Sequence, residues 1–578
     1  MEDFGKRLVI TALLCLAIFI GIGYLFGPKP TSQAPVASRA EETDAGPGSV
    51  ETVSRPTPAT QPAVTPTPFP GKKERGPETI VSLKTPRYVA SFSSHGGALK
   101  SWQLIGTQYR TRAPSGAEVP MDLVRTGEAS LYPLVASMAN STFSLDPDGE
   151  WALEKKSDTE VVARWSSAEL EVTKRFRLLP DSYAVELNVQ VTNNSQREAE
   201  QRLQVHVFGY QDPGAPTSGG IFKYAPPAWE AACHVNGELN THSLSSLRPG
   251  PKSYSGYVRW IGMRHKYFLL AVIPKADVRD SFACSSLAVE GKSGMMEGQV
   301  TWPAWKLKPG DSGVASTVVF VGPKILDEIE AVSQLAANAD LASSVDWGPP
   351  PTSWFTFIAR PMLWLLKVFH GWVRNWGVAI ILLTITVKLL TLYWTHKSMK
   401  SMKAMSRLKP KLDAIREKWA DDKQRQNMEM MNLYKSEGIN PLGGCLPMLL
   451  QMPIWMALYS TLSAAAELYQ APFVGWIRDL TAPDPYFIFP VALTVLMFVQ
   501  AKMSPASMDA AQQKMLQYMM PVMFGLFSLF FPSGLTVYIF TNTILGMAHQ
   551  LYMNKTDGTS SSPAPKGVPG ARKKMARA

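Results

Sequence analysis

Apolar residues gather at the two ends of this chain and leave a long middle of alternating pattern. Residues 8–26 are uncharged and apolar behind Lys6 and Arg7, and a run of about nineteen such residues suits a transmembrane helix. A cleaved signal would have a shorter apolar region with a small-x-small site close behind it. Here the nearest such triplet, Ser32, Gln33 and Ala34, lies well past the run and precedes Pro35, and Cys15 lacks a lipoprotein signal's preceding small residue. The reading is a retained anchor over 1–27 with its N-terminus in the cytoplasm. Further apolar runs lie at 376–394, 442–466, 486–501, 516–531 and 535–549, so six spans are expected, five of them forming a core over 373–554. Residues 354–372 mix aromatic and aliphatic side chains with Arg360, Lys367 and His370 around Pro361. An interfacial amphipathic helix over 352–372 fits that pattern better than a span.

Between the ends, residues 28–77 are rich in Pro, Thr, Ala, Ser and Gly, a composition that buries too little apolar surface to fold, and they read as a flexible linker. Residues 88–104 and 161–191 then alternate apolar and polar, most clearly at Val185, Leu187, Val189 and Val191 after the turn at Pro180, Asp181 and Ser182. Strands at regular spacing predict a β-sandwich over 78–345, with a helical end over 325–341 packed on it.

Charge supplies the orientation. The net charge is +11 on 578 residues, but much of the excess sits in short segments beside apolar runs, which argues for a membrane topology and against nucleic acid. The segment 396–440 carries Lys397, Lys400, Lys403, Arg407, Lys409, Lys411, Arg416 and Lys418, whereas 468–485 has Arg478 alone as a cation. The first segment is therefore cytoplasmic. The tail over 555–578 is basic too, so both termini face the cytoplasm and the β domain lies outside it. Within 396–440, Met399, Met402, Met405, Leu408, Leu412, Ile415 and Trp419 recur at steps of three and four, one face of a helix. Ala420, Asp421 and Asp422 make a turn before Lys423, and a return helix carries Met428, Met431 and Leu433, an αα-hairpin. Its methionines are either an adaptable docking surface or the packing between the two arms.

Candidate chemistry centres on one residue. Apart from His549 at the edge of the last run, Lys388 is the one charged or readily charged side chain in the five C-terminal runs, twelve residues after Trp376 and six before Trp394. A lysine at that depth costs about 2.5 to 3.5 kcal/mol on insertion scales and marks a bundle interior or a hydrated cavity. Thr384, Lys388, Thr391 and Thr395 fall at i, i+4, i+7 and i+11, a polar stripe on one helix face. Gln451, Gln500, Tyr538 and Asn542 on the other runs are candidate partners, although each alone is commonly helix-to-helix glue. The runs contain no Asp or Glu to make a proton relay. The chain has no G-x-x-x-x-G-K-[ST], H-E-x-x-H or G-x-S-x-G, so nucleotide-driven, zinc-protease and serine-elbow chemistries have no visible apparatus, and no cofactor is expected. Cys15, Cys233, Cys284 and Cys445 form no CxxC pair and have no His at metal-ligand spacing. No metal is expected, and whether Cys233 and Cys284 pair is open, since spacing says nothing of their separation.

Several runs make the chain familiar: Asp421, Asp422, Lys423, Gln424 and Arg425; Asn440, Pro441, Leu442, Gly443, Gly444, Cys445 and Pro447; Gln451, Met452 and Pro453; Gln470, Ala471, Pro472 and Phe473; Lys502, Met503, Ser504 and Pro505; Phe531, Pro532, Ser533, Gly534 and Leu535. In that order, over 375–554, they resemble the YidC family of membrane protein insertases. Phe92, Gly96, Gly97 and Leu104 extend the resemblance more loosely to the middle region. The resemblance implies a polytopic helical bundle in a Gram-negative inner membrane, a periplasmic β-supersandwich of a fold shared with sugar-processing proteins, and a cytoplasmic hairpin. It implies a hydrophilic groove, open to cytoplasm and lipid, lined by a cation of the first core span and by the residue matching Thr384. It also implies nascent membrane proteins as clients, with the lipid bilayer, the Sec translocon and the ribosome as partners.

Two departures stand out. The family's usual cation is Arg, where this chain has Lys388, which keeps the charge and loses the five-donor fork. Tyr538 is followed by Ile539 where the family often has a second aromatic hydroxyl. Two other classes compete with insertion. A small-solute transporter also needs a polar site in the membrane but should show inverted repeats or broken helices, and a periplasmic assembly or sensor protein would put the function in the β domain.

Overall fold

The computed structural model describes residues 76–558 except 114, 148, 215–226, 276–280, 338, 349–351, 439–445 and 504–514. The expected N-terminal anchor, nearly all of the linker, the tail from 559, the run from Asn440 to Cys445, and Ser504 and Pro505 lie outside the described residues. The chain divides into two compact units, one of residues up to 359 together with 459–470, the other of 360–458 and the residues from 471 on.

The first unit is built on two antiparallel sheets. The larger has nine strands, in spatial order Glu238–His242, Glu230–Val235, Val258–Arg264, Phe268–Pro274, Ser312–Pro323, Ala184–Asn193, Leu170–Leu179, Glu160–Ser166 and Ala152–Lys155. The smaller has five, Lys252–Gly256, Phe282–Ala288, Met295–Thr301, Leu203–Tyr210 and Ala136–Met138. The alternation at 185–191 has its cause here: Val185, Leu187, Val189 and Val191 are buried in the domain core while Glu186, Asn188 and Gln190 are more exposed. The tight turn at 180–183 sets Ala184 opposite Leu179, and the same strand pairs on its other edge with Ser312–Pro323. The two sheets share one apolar core, as the layers of a sandwich do. Helix α1, Leu326–Leu335, buries Ile329 and Val332 against it.

Cys233 and Cys284 form a disulfide with a Cα–Cα separation of 6.5 Å. One lies in the nine-stranded sheet and the other in the five-stranded sheet, so the bond staples the two layers. A disulfide belongs to an oxidising compartment.

Two polar arrangements are buried in this unit. Lys174 is fully buried, and its Nζ donates to the carbonyl oxygens of Gly96 (2.8 Å), Gly97 (3.1 Å) and Leu134 (3.0 Å) while sitting 4.4 Å from the centre of the Trp151 ring. Burial holds its ammonium well below the usual lysine range. Gly96 and Gly97 have φ of +72° and +52°, and a Cβ on Gly97 would come 2.7 Å from Trp151, so both positions favour glycine. Elsewhere Ser137 Oγ lies 2.7 Å from His206 Nε2, and His206 Nδ1 lies 2.6 Å from Glu297 Oε1. That sequence of groups is the composition of a hydrolytic triad. However, Ser137, His206 and Glu297 are 4%, 1% and 4% exposed, and Ser137 also donates to Gln204. It is a satisfied polar ladder across three strands, with no surface on which a substrate would sit.

The second unit is helical. Helix α2, Thr356–Val373, keeps Met362, Leu363 and Leu366 buried and leaves Phe357, Trp364 and Trp372 exposed, so it has two distinct faces. Asn375 caps helix α3, Trp376–Arg407, by accepting from the backbone N–H of Val378 at 3.0 Å. The sequence pattern separates the first core run from the hairpin's first arm; in the structure α3 runs through both without a break for 32 residues, because no Pro or Gly interrupts 378–407. Helix α4, Lys409–Lys418, and helix α5, Lys423–Ser436, complete the hairpin. They are joined by Gln426 Nε2 donating to the Arg416 carbonyl at 2.9 Å, by Arg425 over the Trp419 ring at 4.2 Å, and by the Lys411–Glu437 ion pair.

The remaining helices are α6, Leu446–Ala464; α7, Ile488–Met503; α8, Met520–Ser528; and α9, Ser533–Gly558. Among the described residues one helix, α3, is long and apolar enough to cross a membrane by length and composition, and α7 is a shorter apolar helix. The other runs become shorter or more mixed helices for local reasons. Pro453 lies within α6, the run from 516 begins in a π-turn at Met515–Met519 and its helix stops at Ser528, and α9 carries its apolar run on into His549, Gln550, Asn554 and Lys555. Val491, Val495 and Val499 on α7, Val522 and Leu526 on α8, and Leu389, Leu390 and Tyr393 on α3 are all exposed. Apolar faces of this extent are costly in water and ordinary in lipid.

Candidate functional site

Helix α3 carries Lys388 among apolar residues, and its side chain turns away from the exposed Leu389 and Leu390. Lys388 Nζ donates to Asn542 Oδ1 of α9 at 3.4 Å, long for an N–H···O bond and correspondingly weak. One turn earlier on α9, Tyr538 is buried and its hydroxyl accepts from Gln451 Nε2 of α6 at 3.2 Å. One face of α9 thus makes two polar contacts a turn apart, one to α3 and one to α6, and four of the residues singled out from the sequence, Lys388, Gln451, Tyr538 and Asn542, come together.

The threonines share the helix face and differ in what they offer. Thr384 is buried and donates to the Ile380 carbonyl at 2.7 Å; Thr391 is buried and donates to Val387 at 2.9 Å; Thr395 is half-buried and donates to Thr391 at 2.8 Å. Each hydroxyl proton goes to the helix's own backbone, a common resting arrangement for helical threonine. What the stripe presents outward is oxygen lone pairs and methyl groups.

The hairpin residues divide in the same way. Met399, Met402 and Met405 on the extended part of α3 are half-buried. Asp422 accepts from the Arg425 backbone N–H at 2.9 Å and so caps α5, while Asp421 and Lys423 are exposed beside it. The most accessible methionines are Met428 and Met431 on the return helix, 58% and 49% exposed.

Gly546 is the residue that sequence reasoning missed. It is buried on α9, and a Cβ there would lie 3.0 Å from Gln500 Nε2 and 3.8 Å from Lys388 Nζ, so Gln500 of α7 and the amine both border this glycine. The available signal was its place four residues after Asn542, on the same helix face. No group of three or more His, Cys, Asp or Glu side chains among the described residues is arranged to hold a metal ion. Among the described residues the Lys388 amine donates to an amide oxygen, and the Gln451–Tyr538 amide–phenol pair lies one turn away along α9.

Comparison with known proteins gives two family matches. Residues 80–365 match the YidC periplasmic domain, and residues 368–560 match the family described as 60Kd inner membrane protein. The chain is 34% identical over 561 residues to the membrane protein insertase YidC of Geotalea daltonii, covering 95% of this chain and 99% of that protein. It is 33% identical over 562 residues to that of Geobacter metallireducens, covering 95% and 98%, and 35% identical over 488 residues to that of Syntrophus aciditrophicus, covering 83% and 85%.

Proposed function

The chain belongs to the YidC family, and from that premise we propose that it is an inner-membrane insertase that inserts and helps fold integral membrane proteins. The observation that carries the reading is the Lys388 amine, held inside a helical unit by an amide oxygen at 3.4 Å rather than by a carboxylate. A cation so weakly satisfied attracts polar groups into a region where they are otherwise costly.

In this reading six spans cross the membrane, both termini face the cytoplasm and the β domain is periplasmic. The face of Lys388, Thr384, Thr391, Thr395, Gln451, Tyr538 and Asn542 lines a hydrophilic groove open to the cytoplasm. A client's short polar tail enters it, where water and Lys388 lower the cost of passing below the headgroups. Its apolar segment then partitions into lipid, and each CH₂ withdrawn from water contributes about 0.8 kcal/mol. That driving force is enough without a nucleotide. The hairpin around Asp421, Asp422 and Lys423, with its methionines, receives clients or the ribosome, and insertion proceeds alone or beside the Sec translocon.

The test is site-specific crosslinking from position 384 to a stalled nascent membrane protein. The reading predicts adducts with the client from 384 and none from 390, on the exposed face of the same helix. Adducts from 390 alone would contradict it.

A further inference from the structure

The corner between α2 and α3 presents an arginine that nothing inside the protein explains. Arg374 has a φ of +54°, in the left-handed region where glycine or asparagine is the usual choice. Its side chain is exposed, and among the described residues its guanidinium makes no hydrogen bond or ion pair. The backbone around it, by contrast, is firmly held. The Arg374 N–H donates to the His370 carbonyl at 2.8 Å, the His370 ring stacks on that of Trp376 at 3.8 Å, and Asn375 Nδ2 donates to the Phe473 carbonyl at 2.8 Å. Trp372, two residues before the arginine, is 72% exposed. No Asp or Glu occurs between Asp346 and Asp413, so the corner has positive charge and no acidic residue near it in sequence.

We propose that this corner is a binding site for an anionic phospholipid, with Arg374 clamping the headgroup phosphate beside the exposed ring of Trp372. A guanidinium grips a phosphate through two parallel N–H···O bonds, and an indole ring, apolar with one polar N–H, settles at headgroup level. The fixed backbone presents the fork without having to be ordered first, which lowers the cost of binding. Charge complementarity selects an anionic headgroup over a zwitterionic one. The inference does not depend on the role of Lys388.

The experiment places one fluorophore on the full chain at position 371, through G371C in a C15S/C445S background. A Cβ at Gly371 meets nothing within 4 Å, and Cys233 and Cys284 stay in their disulfide. The detergent-solubilised protein is titrated with short-chain phosphatidylglycerol, with phosphatidylcholine of the same chains and with inorganic phosphate. Phosphatidylglycerol binds tightest, and R374Q weakens it by about fivefold, the contribution of one basic residue at an anionic membrane surface. R374K binds more tightly than R374Q. R374G weakens binding as R374Q does yet unfolds no earlier than wild type, because glycine suits a positive φ. R360Q, about 20 Å away at a helical rise of 1.5 Å per residue, leaves the signal at 371 at the wild-type value. Wild-type affinity in R374Q or R374G would overturn the proposal. So would an equal loss in R360Q, which would mean general charge attraction, or an R374G protein that unfolds well below wild type, which would give the arginine a structural reason. Displacement of the lipid by inorganic phosphate at matching concentration would make the site one for a free anion and overturn it as well.

Discussion

Tyr538 and Gln451 are joined across two helices, phenol oxygen to amide nitrogen at 3.2 Å, one turn from where Asn542 meets Lys388. The pair ties α6 to the helix that faces the cation. Y538F leaves the Gln451 amide without that acceptor and should destabilise the helical unit by about 0.6 kcal/mol and at most about 1.7 kcal/mol, the range for hydrogen bonds between membrane helices. Unfolding of the purified chain in mixed detergent measures it, and adding Q451L to Y538F should cost less than the sum of the two single changes.

The Cys233–Cys284 bond closes a loop of sequence separation 51 between the two sheets. Loop-closure entropy assigns such a bond about 4 kcal/mol, with about 2 to 4 typical of measured cases. C233A/C284A should lower the stability of the β domain by that order, and a reductant should lower wild type to the level of the variant while leaving the variant unmoved.

His265 lies in the hairpin between Val258–Arg264 and Phe268–Pro274, with its ring 5.0 Å from that of Trp229. Burial, and then the charge of Lys324, push its pKa from 6.5 down to about 3. The unfolded chain therefore binds a proton that the folded chain refuses, so this contribution is present above pH 6.5 and is lost as pH falls from 6.5 towards 3. The slope is at most about 1.4 kcal/mol per pH unit. His234 and His242 are also held low by burial and act in the same sense, so the informative quantity is the difference between wild type and H265Q. Denaturant midpoints between pH 7 and pH 4.5 should fall more steeply in wild type.

Removing the Lys174 amine leaves three buried carbonyl oxygens without their donor. K174M should cost on the order of 3 kcal/mol. G97A, which forces a Cβ into Trp151 at positive φ, should cost about 1 to 3 kcal/mol. Thermal unfolding of the β domain within the full chain checks both, and a K174M protein as stable as wild type would mean the tripod contributes nothing.

These residues also mark what was legible in the sequence. Val185 to Val191 could be read as a strand because one face is core and the other is not, and that difference is written at every second residue. Gly96 and Gly97 could be noticed, but their reason is an amine from Lys174, far along the chain, and no local pattern carries that. The disulfide was open for the same cause, since the distance between Cys233 and Cys284 depends on how two sheets stack. Lys388 announced itself because a charge in an apolar run is expensive anywhere in the chain. Asn542 was one of several polar candidates until α9 set it against the amine. Gly546 bears no polarity and no charge, and its meaning exists only once Gln500 and Lys388 are placed around it. The helix boundaries were blurred where hydropathy and backbone geometry part company: at 396, where the chain turns polar while α3 continues to Arg407, and at 515–519, where a run that looks apolar begins as a π-turn.

The central claim is that the Lys388 charge admits polar tails into the membrane-embedded unit. The most direct measurement is insertion of a client with an acidic translocated tail, and of its neutral counterpart, by wild type, K388R and K388Q reconstituted in vesicles. The account predicts that K388R retains insertion of the acidic client, while K388Q lowers it about tenfold or more, in line with the cost of an unassisted charge in the membrane, and spares the neutral client. Undiminished insertion of the acidic client by K388Q would contradict it.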